Sequence, residues 1–245
     1  MNFVTVSAQL NETPTRVYTS ATTSAVRCMV TLPPINKKAP TIIEYNAYGK
    51  QAEEFLGAPE RSLIYIHGAK LRFDINTKTF SIHAGTVEPS TAQARIHNNV
   101  ILTGRCIKDI SHDDARAFKT TADGLMIANQ TISVKTSRDQ ADLFNFYAMN
   151  SVDDKLNNAE LLVNFTRKGT GITINTRIVT DAWFDKETKE RRTNTKLQLL
   201  NMTLAPKPGS EPQPQRIASQ TTVASSDNVA SLWGGRTVED APDPW

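Results

Sequence analysis

The sequence predicts a mainly all-β chain of two tandem five-stranded barrels, each carrying one short helix, followed by a disordered tail. Three observations lead there. Through residues 1–205 apolar and polar residues alternate over short stretches, as at 41–48, 62–73, 172–179 and 195–203. That period of two turns one face of a strand towards a core. The same stretch repeats itself at an offset of about 100 residues. After Ala205 the composition changes, with Pro206, Pro208, Gly209, Pro212 and Pro214 close together and Ser, Thr, Gln and Asn dominant beyond them. Such a segment buries too little apolar surface to offset the entropy of ordering. With 245 residues and 39% hydrophobic content, the rest suffices for one large domain or two small ones.

The elements of the two copies correspond in order. Asn2-Phe3-Val4-Thr5-Val6 opens the first copy, as Asn99-Val100-Ile101-Leu102-Thr103 opens the second. Cys28-Met29-Val30-Thr31-Leu32 then corresponds to Gln130-Thr131-Ile132-Ser133-Val134, and a third strand follows at 42–48 and at 143–149. Next comes a helix-like segment, 50–56 closed by Gly57 and 155–168 closed by Gly169, because glycine is the common residue just past a helix end. Leu63-Ile64-Tyr65-Ile66-His67 and Gly171-Ile172-Thr173-Ile174-Asn175 resume the strands. Five strands with a helix between the third and fourth is the order of an OB-fold, a partly open Greek-key barrel. The expected divisions are 1–88 for the first OB-fold, 89–98 for a connector, 99–205 for the second OB-fold and 206–245 for the tail. In its wider reading the connector runs from Gly85 to Asn98.

Several function classes fall away. No apolar run approaches the roughly 18 residues of a membrane span, and Met1 leads into Asn-Phe-Val-Thr-Val without the basic and apolar regions of a signal peptide, so a cytoplasmic, nucleoid-associated protein is expected. Cys28 and Cys106 lie in alternating apolar stretches without metal-site spacing and read as buried thiols. His67, His83, His97 and His112 are scattered. Asp113-Asp114 and Asp153-Asp154 are the tight carboxylate pairs, and each sits in a loop or at a helix start, where capping explains it. No nucleophile and base, phosphate-cradling glycine loop or metal motif accompanies them, so neither an enzyme nor a cofactor is expected. The charge is unevenly divided: residues 1–205 hold 25 Lys and Arg against 20 Asp and Glu, and the tail holds 3 against 5. A basic body suits phosphates, and an acidic tip suits a basic partner.

The second copy resembles the bacterial single-stranded-DNA-binding protein family along its length. Asn98-Asn99-Val100-Ile101-Leu102-Thr103-Gly104-Arg105 is similar to the family's opening strand, Asp142-Leu143-Phe144-Asn145-Phe146-Tyr147-Ala148 to its third strand, and Arg167-Lys168-Gly169 to the end of its helix. Ala182-Trp183-Phe184-Asp185 and Arg191-Arg192-Thr193-Asn194-Thr195 resemble the pair flanking its long final hairpin. In the first copy, Tyr45-Asn46-Ala47-Tyr48-Gly49-Lys50-Gln51-Ala52-Glu53 and Ile64-Tyr65-Ile66-His67-Gly68 are similar to the family too, and Phe73 comes two residues sooner after Gly68 than the family's Trp. The resemblance implies sequence-independent binding of single-stranded DNA in replication, recombination and repair. Family members commonly assemble four OB-folds, which implies a homodimer here.

Such binding needs cations for phosphates and flat side chains on which bases stack. Strand parity puts Phe144, Phe146 and Ala148 in the core and turns Leu143, Asn145, Tyr147 and Met149 outward. The resemblance places Leu143 and Met149 where the family usually has a stacking aromatic, so Tyr147 and Trp183 are expected to carry more of the stacking. In the first copy Ile43, Tyr45 and Ala47 are core, while Ile42, Glu44, Asn46 and Tyr48 face outward. Tyr48 fits a stacking position, whereas Glu44 opposes a phosphate path, so the second copy is expected to bind more strongly. The cations are Lys37 and Lys38 in a loop, Lys70 and Arg72 past Gly68, Arg105 and Lys108 on or after the opening strand, Arg177, and Lys186, Lys189, Arg191, Arg192 and Lys196 on the final hairpin. Phe165 reads as helix core.

The chain ends Val238-Glu239-Asp240-Ala241-Pro242-Asp243-Pro244-Trp245, an indole behind carboxylates and prolines. It resembles the family's acidic tip, which ends Ile-Pro-Phe and docks replication and repair enzymes. Pro244 and Trp245 match it, and Asp243 replaces its apolar residue. Glu239, Asp240 and Asp243 would steer a basic pocket towards Trp245. The alternative is an OB-fold scaffold or replication-accessory protein that binds DNA weakly and uses its first copy for assembly.

Overall fold

A computed structural model describes residues 1–20, 23–35, 38–91, 94–151 and 157–205. In the first half β1 (Asn2–Leu10), β2 (Thr15–Ser20), β3 (Thr23–Leu32) and β4 (Thr41–Tyr48) precede helix α1 (Lys50–Phe55), and β5 (Leu63–Asp74), β6 (Thr79–His83) and β7 (Thr86–Pro89) follow it. The second half runs β8 (Asn98–Cys106), β9 (Phe118–Thr120), β10 (Leu125–Lys135), β11 (Ala141–Ser151), α2 (Asn158–Phe165), β12 (Gly171–Phe184) and β13 (Arg191–Leu204).

The second half closes into a five-stranded barrel. β8 pairs antiparallel with β10, β10 with β11, and β12 with both β13 and β8, while β11 and β13 complete the circuit in parallel at Tyr147 and Gln198. Closure brings β8 and β10 together at Arg105 and Ser133, beside Gly104. A Cβ at position 104 would lie 2.3 Å from the Ser133 carbonyl oxygen, so the crossing requires glycine. In the first half the pairings run β1–β3–β4–β6–β5–β1, with β4 and β6 parallel. Antiparallel pairing of β1 with β8, Val4 opposite Val100, makes one continuous sheet of the two halves.

The alternation read from the sequence becomes the core. Val4, Val6, Ile43, Tyr45, Ala47, Phe144, Phe146 and Ala148 are buried, as their parity requires. Tyr45 meets Phe55 of α1 edge-on at 5.5 Å, and its hydroxyl donates to the Ala84 carbonyl (3.1 Å). Cys28 and Cys106 are buried free thiols, and burial pushes them up to about 12 and about 11. Neither ionises near neutral pH.

Some expectations are corrected. Gly57 does not close α1 through a left-handed turn: the helix stops at Phe55, Leu56 caps it in right-handed geometry, and the positive φ comes later, at Arg61. Residues 155 and 156 lie outside the described residues, and α2 ends at Phe165 rather than at Gly169. There the Thr166 hydroxyl donates to the Leu162 carbonyl (2.5 Å) and Arg167 donates to Val163 and Thr166 carbonyls, which satisfies the last turn. Phe165 is 59% exposed, not core, because α2 turns Ala159, Leu162 and Val163 inward. β7 pairs with β5 from Thr86 to Pro89, within the Gly85 to Asn98 reading of the connector and meeting the 89–98 one only at Pro89. The β2 and β9 strands had no reading in the sequence.

Candidate nucleic-acid interface

The widest gathering of expected side chains lies between the halves. The β5–β6 hairpin reaches across the outward face of β10 and β11, enclosing a cleft of about 440 Å³ lined by Phe73, Lys78, Phe80, Lys108, Tyr147 and Lys196, among others. Two main-chain amides, of Asn76 and Thr77, donate to the Asp74 carboxylate (2.8 and 3.3 Å), which fixes the hairpin tip and holds that carboxyl below its usual range. Phe73 packs on Phe80 with centroids 4.9 Å apart. On the facing wall Asn129 stands opposite Tyr147 and Thr131 opposite Asn145, whose carbonyl oxygen accepts from the Thr131 hydroxyl (2.5 Å). Of the expected residues, Phe73, Lys108, Tyr147 and Lys196 thus share one site. Lys78 and Phe80 join them unforeseen.

Tyr147 corrects the expectation of an open platform. It lies on the outward face yet is only 8% exposed, with β13 paired in parallel beside it. Burial, then the Asp181 charge, pushes its hydroxyl up to about 12, so it stays neutral. Arg177 donates to the Gln198 side chain (3.1 Å). Leu143 is 41% exposed and Met149 partly so, both on β11 with the parity of Asn145 and Tyr147.

A latch ties the first half to β12. Lys38 donates to Asp181, whose other oxygen lies 3.5 Å from Lys196. Beside them the Thr41, Thr180 and Thr195 hydroxyls form a chain at 2.8 and 2.9 Å, and Ala39 bridges Thr180 through the backbone. Burial pushes the Asp181 carboxyl up, but the hydrogen bond and charge of Lys38, with those of Lys196, outweigh it and hold the carboxyl below its usual range. Asp181 had no reading in the sequence, because its partners lie 143 and 15 residues away. Lys37 lies outside the described residues.

The first half presents its own face. Tyr48 is 41% exposed, and its hydroxyl meets His83 Nδ1 at 2.9 Å. In register across β5 and β6, Lys70 stands opposite His83 and Arg72 opposite Ser81. Arg72 also donates to Asp142 of β11 (3.0 Å). Glu44 is partly neutralised, since Arg27 lies 3.4 Å away and the Asn46 amide donates to it (2.8 Å). The carboxylate read as opposing a strand is therefore half of an ion pair. Alternation in Thr79–His83 would have turned His83 outward had that strand been read.

At the end of the β12–β13 hairpin Trp183 and Phe184 are 46% and 70% exposed, opposite Arg192 and Arg191 in register. Arg192 is 3.0 Å from Asp185, and Lys189 adopts a positive φ in the turn. Phe184 was passed over although it adjoins Trp183. Arg105 stands apart from all of these, with its guanidinium on the Gly169 carbonyl (3.0 Å) and Lys135 and Arg138 around the same hollow. Glu239, Asp240, Asp243, Pro244 and Trp245 lie outside the described residues.

No protein-family model and no curated protein matches the chain. Solved structures do. The single-stranded DNA binding protein from Thermus aquaticus is similar, with 19% identity over 86% of this chain and 96% of that chain, at a TM-score of 0.64. The fold is the OB-fold. A deletion variant of the same protein gives 17% identity over 87% and 98%, also at 0.64. At these identities the backbone arrangement is what is shared; on it, the cleft over β10 and β11 brings the exposed Asn129 and Asn145 together with Lys78, Lys108, Lys196 and the partly buried Phe73.

Proposed function

We propose that this chain is a non-enzymatic protein that binds single-stranded DNA without sequence preference, through two OB-fold barrels in tandem. The cleft between the β5–β6 hairpin and the β10–β11 face carries the reading. It offers apolar rings for stacking and three lysines for phosphates, the pairing that single strands require and a duplex, with its bases hidden, does not. Trp183 and Phe184 extend the stacking surface, with Arg191 and Arg192 for the backbone. Bases would reach Phe73, Leu143 and Trp183 rather than the enclosed Tyr147. Two barrels per chain would give four in a homodimer, and the protein would protect exposed strands during replication, recombination and repair. Trp245, with Pro244 and the carboxylates of Glu239, Asp240 and Asp243, would recruit replication and repair proteins.

A second reading draws on the two cations of the first half that are engaged between the halves, Lys38 with Asp181 and Arg72 with Asp142. In it the first barrel serves assembly and the second alone binds DNA. Titration with oligo(dT) and with duplex of equal length, following Trp183 emission in a protein whose Trp233 and Trp245 are changed to Phe, tests the main reading. Quenching by oligo(dT) at far lower concentration than by duplex is expected. Equal affinity for the two would overturn it.

A further inference from the structure

At the seam between the halves β1 and β8 run antiparallel, with Asn2 opposite Leu102, Val4 opposite Val100 and Val6 opposite Asn98. Exchanging the two strands about Val4 and Val100 puts Asn98 where Asn2 was. The structural counterpart of Asn2 is therefore Asn98, one residue before the Asn99 matched to it by sequence. Both side chains do the same thing. Asn2 Nδ2 donates to the Leu71 carbonyl (2.7 Å), and Asn2 Oδ1 accepts from the Leu71 amide (2.9 Å). Asn98 holds Ile178 in the same way, at 2.8 Å for each bond. Counting on from the last main-chain rungs, Val4 opposite Ala69 and Val100 opposite Thr176, Leu71 and Ile178 are the residues that would face Asn2 and Asn98. In each half, then, a side chain takes the place of the main chain at the same step of the ladder. A carboxamide can do this because it carries a donor and an acceptor, as a peptide group does. Inserted between strands, it holds them further apart than the roughly 4.8 Å of a main-chain ladder. Leu71 and Ile178 are buried, so no solvent would replace the bonds if the asparagine were lost.

From Leu71 the chain runs on into the β5–β6 hairpin, and from Ile178 into the β12–β13 hairpin. Beside each asparagine the ladder changes register, between Val4 and Thr5 where Gly68 takes a φ of 68°, and between Asn175 and Thr176. Strands bend at such steps. A bend alone leaves the angle loose, and the carboxamide fixes it. We infer that Asn2 and Asn98 are matched positioning residues that set how the two hairpins leave the seam, Asn2 aiming Phe73, Lys78 and Phe80 over the β10–β11 face and Asn98 aiming Trp183, Arg191 and Arg192. Hairpins held in place beforehand lose less freedom on meeting a strand. Neither asparagine touches DNA in this assignment, which rests on the single-stranded-DNA reading.

Distances between paired spin labels, measured by electron–electron double resonance on the full chain without DNA, test it. Cys28 and Cys106 are buried, so the labels go on exposed positions: Glu160→Cys on α2 as the reference, with Asn76→Cys or Glu187→Cys at a hairpin tip. Asn2→Asp keeps the acceptor, loses the donor and sets a carboxylate against the Leu71 carbonyl. It broadens the distance distribution to position 76 and leaves that to position 187 as in wild type. Asn2→Gln keeps both bonds on a longer arm, so the same distribution shifts but stays narrow. Asn98→Asp and Asn98→Gln act on position 187 alone. A role in stability only would broaden both tips together. Oligo(dT) affinity of the unlabelled Asp variants falls roughly tenfold, the cost of ordering a loosened hairpin. Where an Asp variant does not fold, the Gln variant carries the same test. Unchanged distributions, or broadening at both tips, overturn the assignment, and a loosened hairpin with undiminished oligo(dT) affinity overturns its part in binding. Local loosening in a protein whose wild type binds no oligo(dT) leaves the positioning standing and overturns the single-strand reading.

Discussion

Asp181→Asn is expected to tighten oligo(dT) binding and to cost a little stability. In the folded chain this carboxylate accepts from Lys38 and lies 3.5 Å from Lys196, and Lys196 lines the cleft between the halves. Asn keeps the shape and can accept one hydrogen bond, but it releases two ammonium groups from their counter-charge. Each phosphate newly neutralised steepens the fall of log K with log salt by about 0.7, so a gain of up to about 1.4 in the slope is expected. Removing a negative charge about 7 Å from a bound phosphate adds roughly 0.6 kcal/mol in high dielectric, or about threefold, at low salt. The side chains of Asp181, Lys38 and Lys196 are 29%, 34% and 44% exposed, so solvent screens the pairs and the stability loss stays near 0.5 to 1 kcal/mol. The buried link between Thr41 and Thr180 remains to hold the latch. Fluorescence titration at several salt concentrations reads both affinity and slope. A variant with unchanged slope and unchanged or weaker affinity would show that neither lysine faces the strand.

Other outcomes follow from the same structure. Trp183→Ala should weaken oligo(dT) binding by about 1 to 3 kcal/mol, with the melting temperature unaltered because the ring touches no core; a neutral result in the titration moves stacking elsewhere. Leu143→Tyr, which places a ring at an exposed site, should strengthen binding by about 1 kcal/mol in the same assay. Gly104→Ala should lower stability by about 1 to 3 kcal/mol in urea unfolding, since its methyl would press on the Ser133 carbonyl where the barrel closes. The His83 pKa is lower folded than unfolded, so the unfolded chain binds its proton more readily. Stability should therefore fall as pH drops through the ordinary histidine value of about 6.5, and thermal melts of His83→Gln should lack that fall.

What could be read from the chain and what could not divide along a physical line. Period-two alternation fixes which residues of a strand point inward, so Ile43, Tyr45, Phe144 and Phe146 were legible as core, and so was one short helix in each half. Short strands without a full alternating run, β2, β7 and β9, were not, because their existence depends on a neighbour already in place. The cations and aromatic residues of the cleft were legible as types, since the proposed binding of single strands needs them. Their grouping was not. Whether Tyr147 is a platform or a wall depends on β13 arriving in parallel beside it, and whether Lys38 is free depends on Asp181, 143 residues away. The sequence by itself determined strands, core parity and an inventory of binding side chains, because those follow from local periodicity and chemistry. Only the tertiary structure decided which of them stand exposed, which are paired and which meet in one cleft, because burial and ion pairing are properties of segments that contact one another only after the chain has folded.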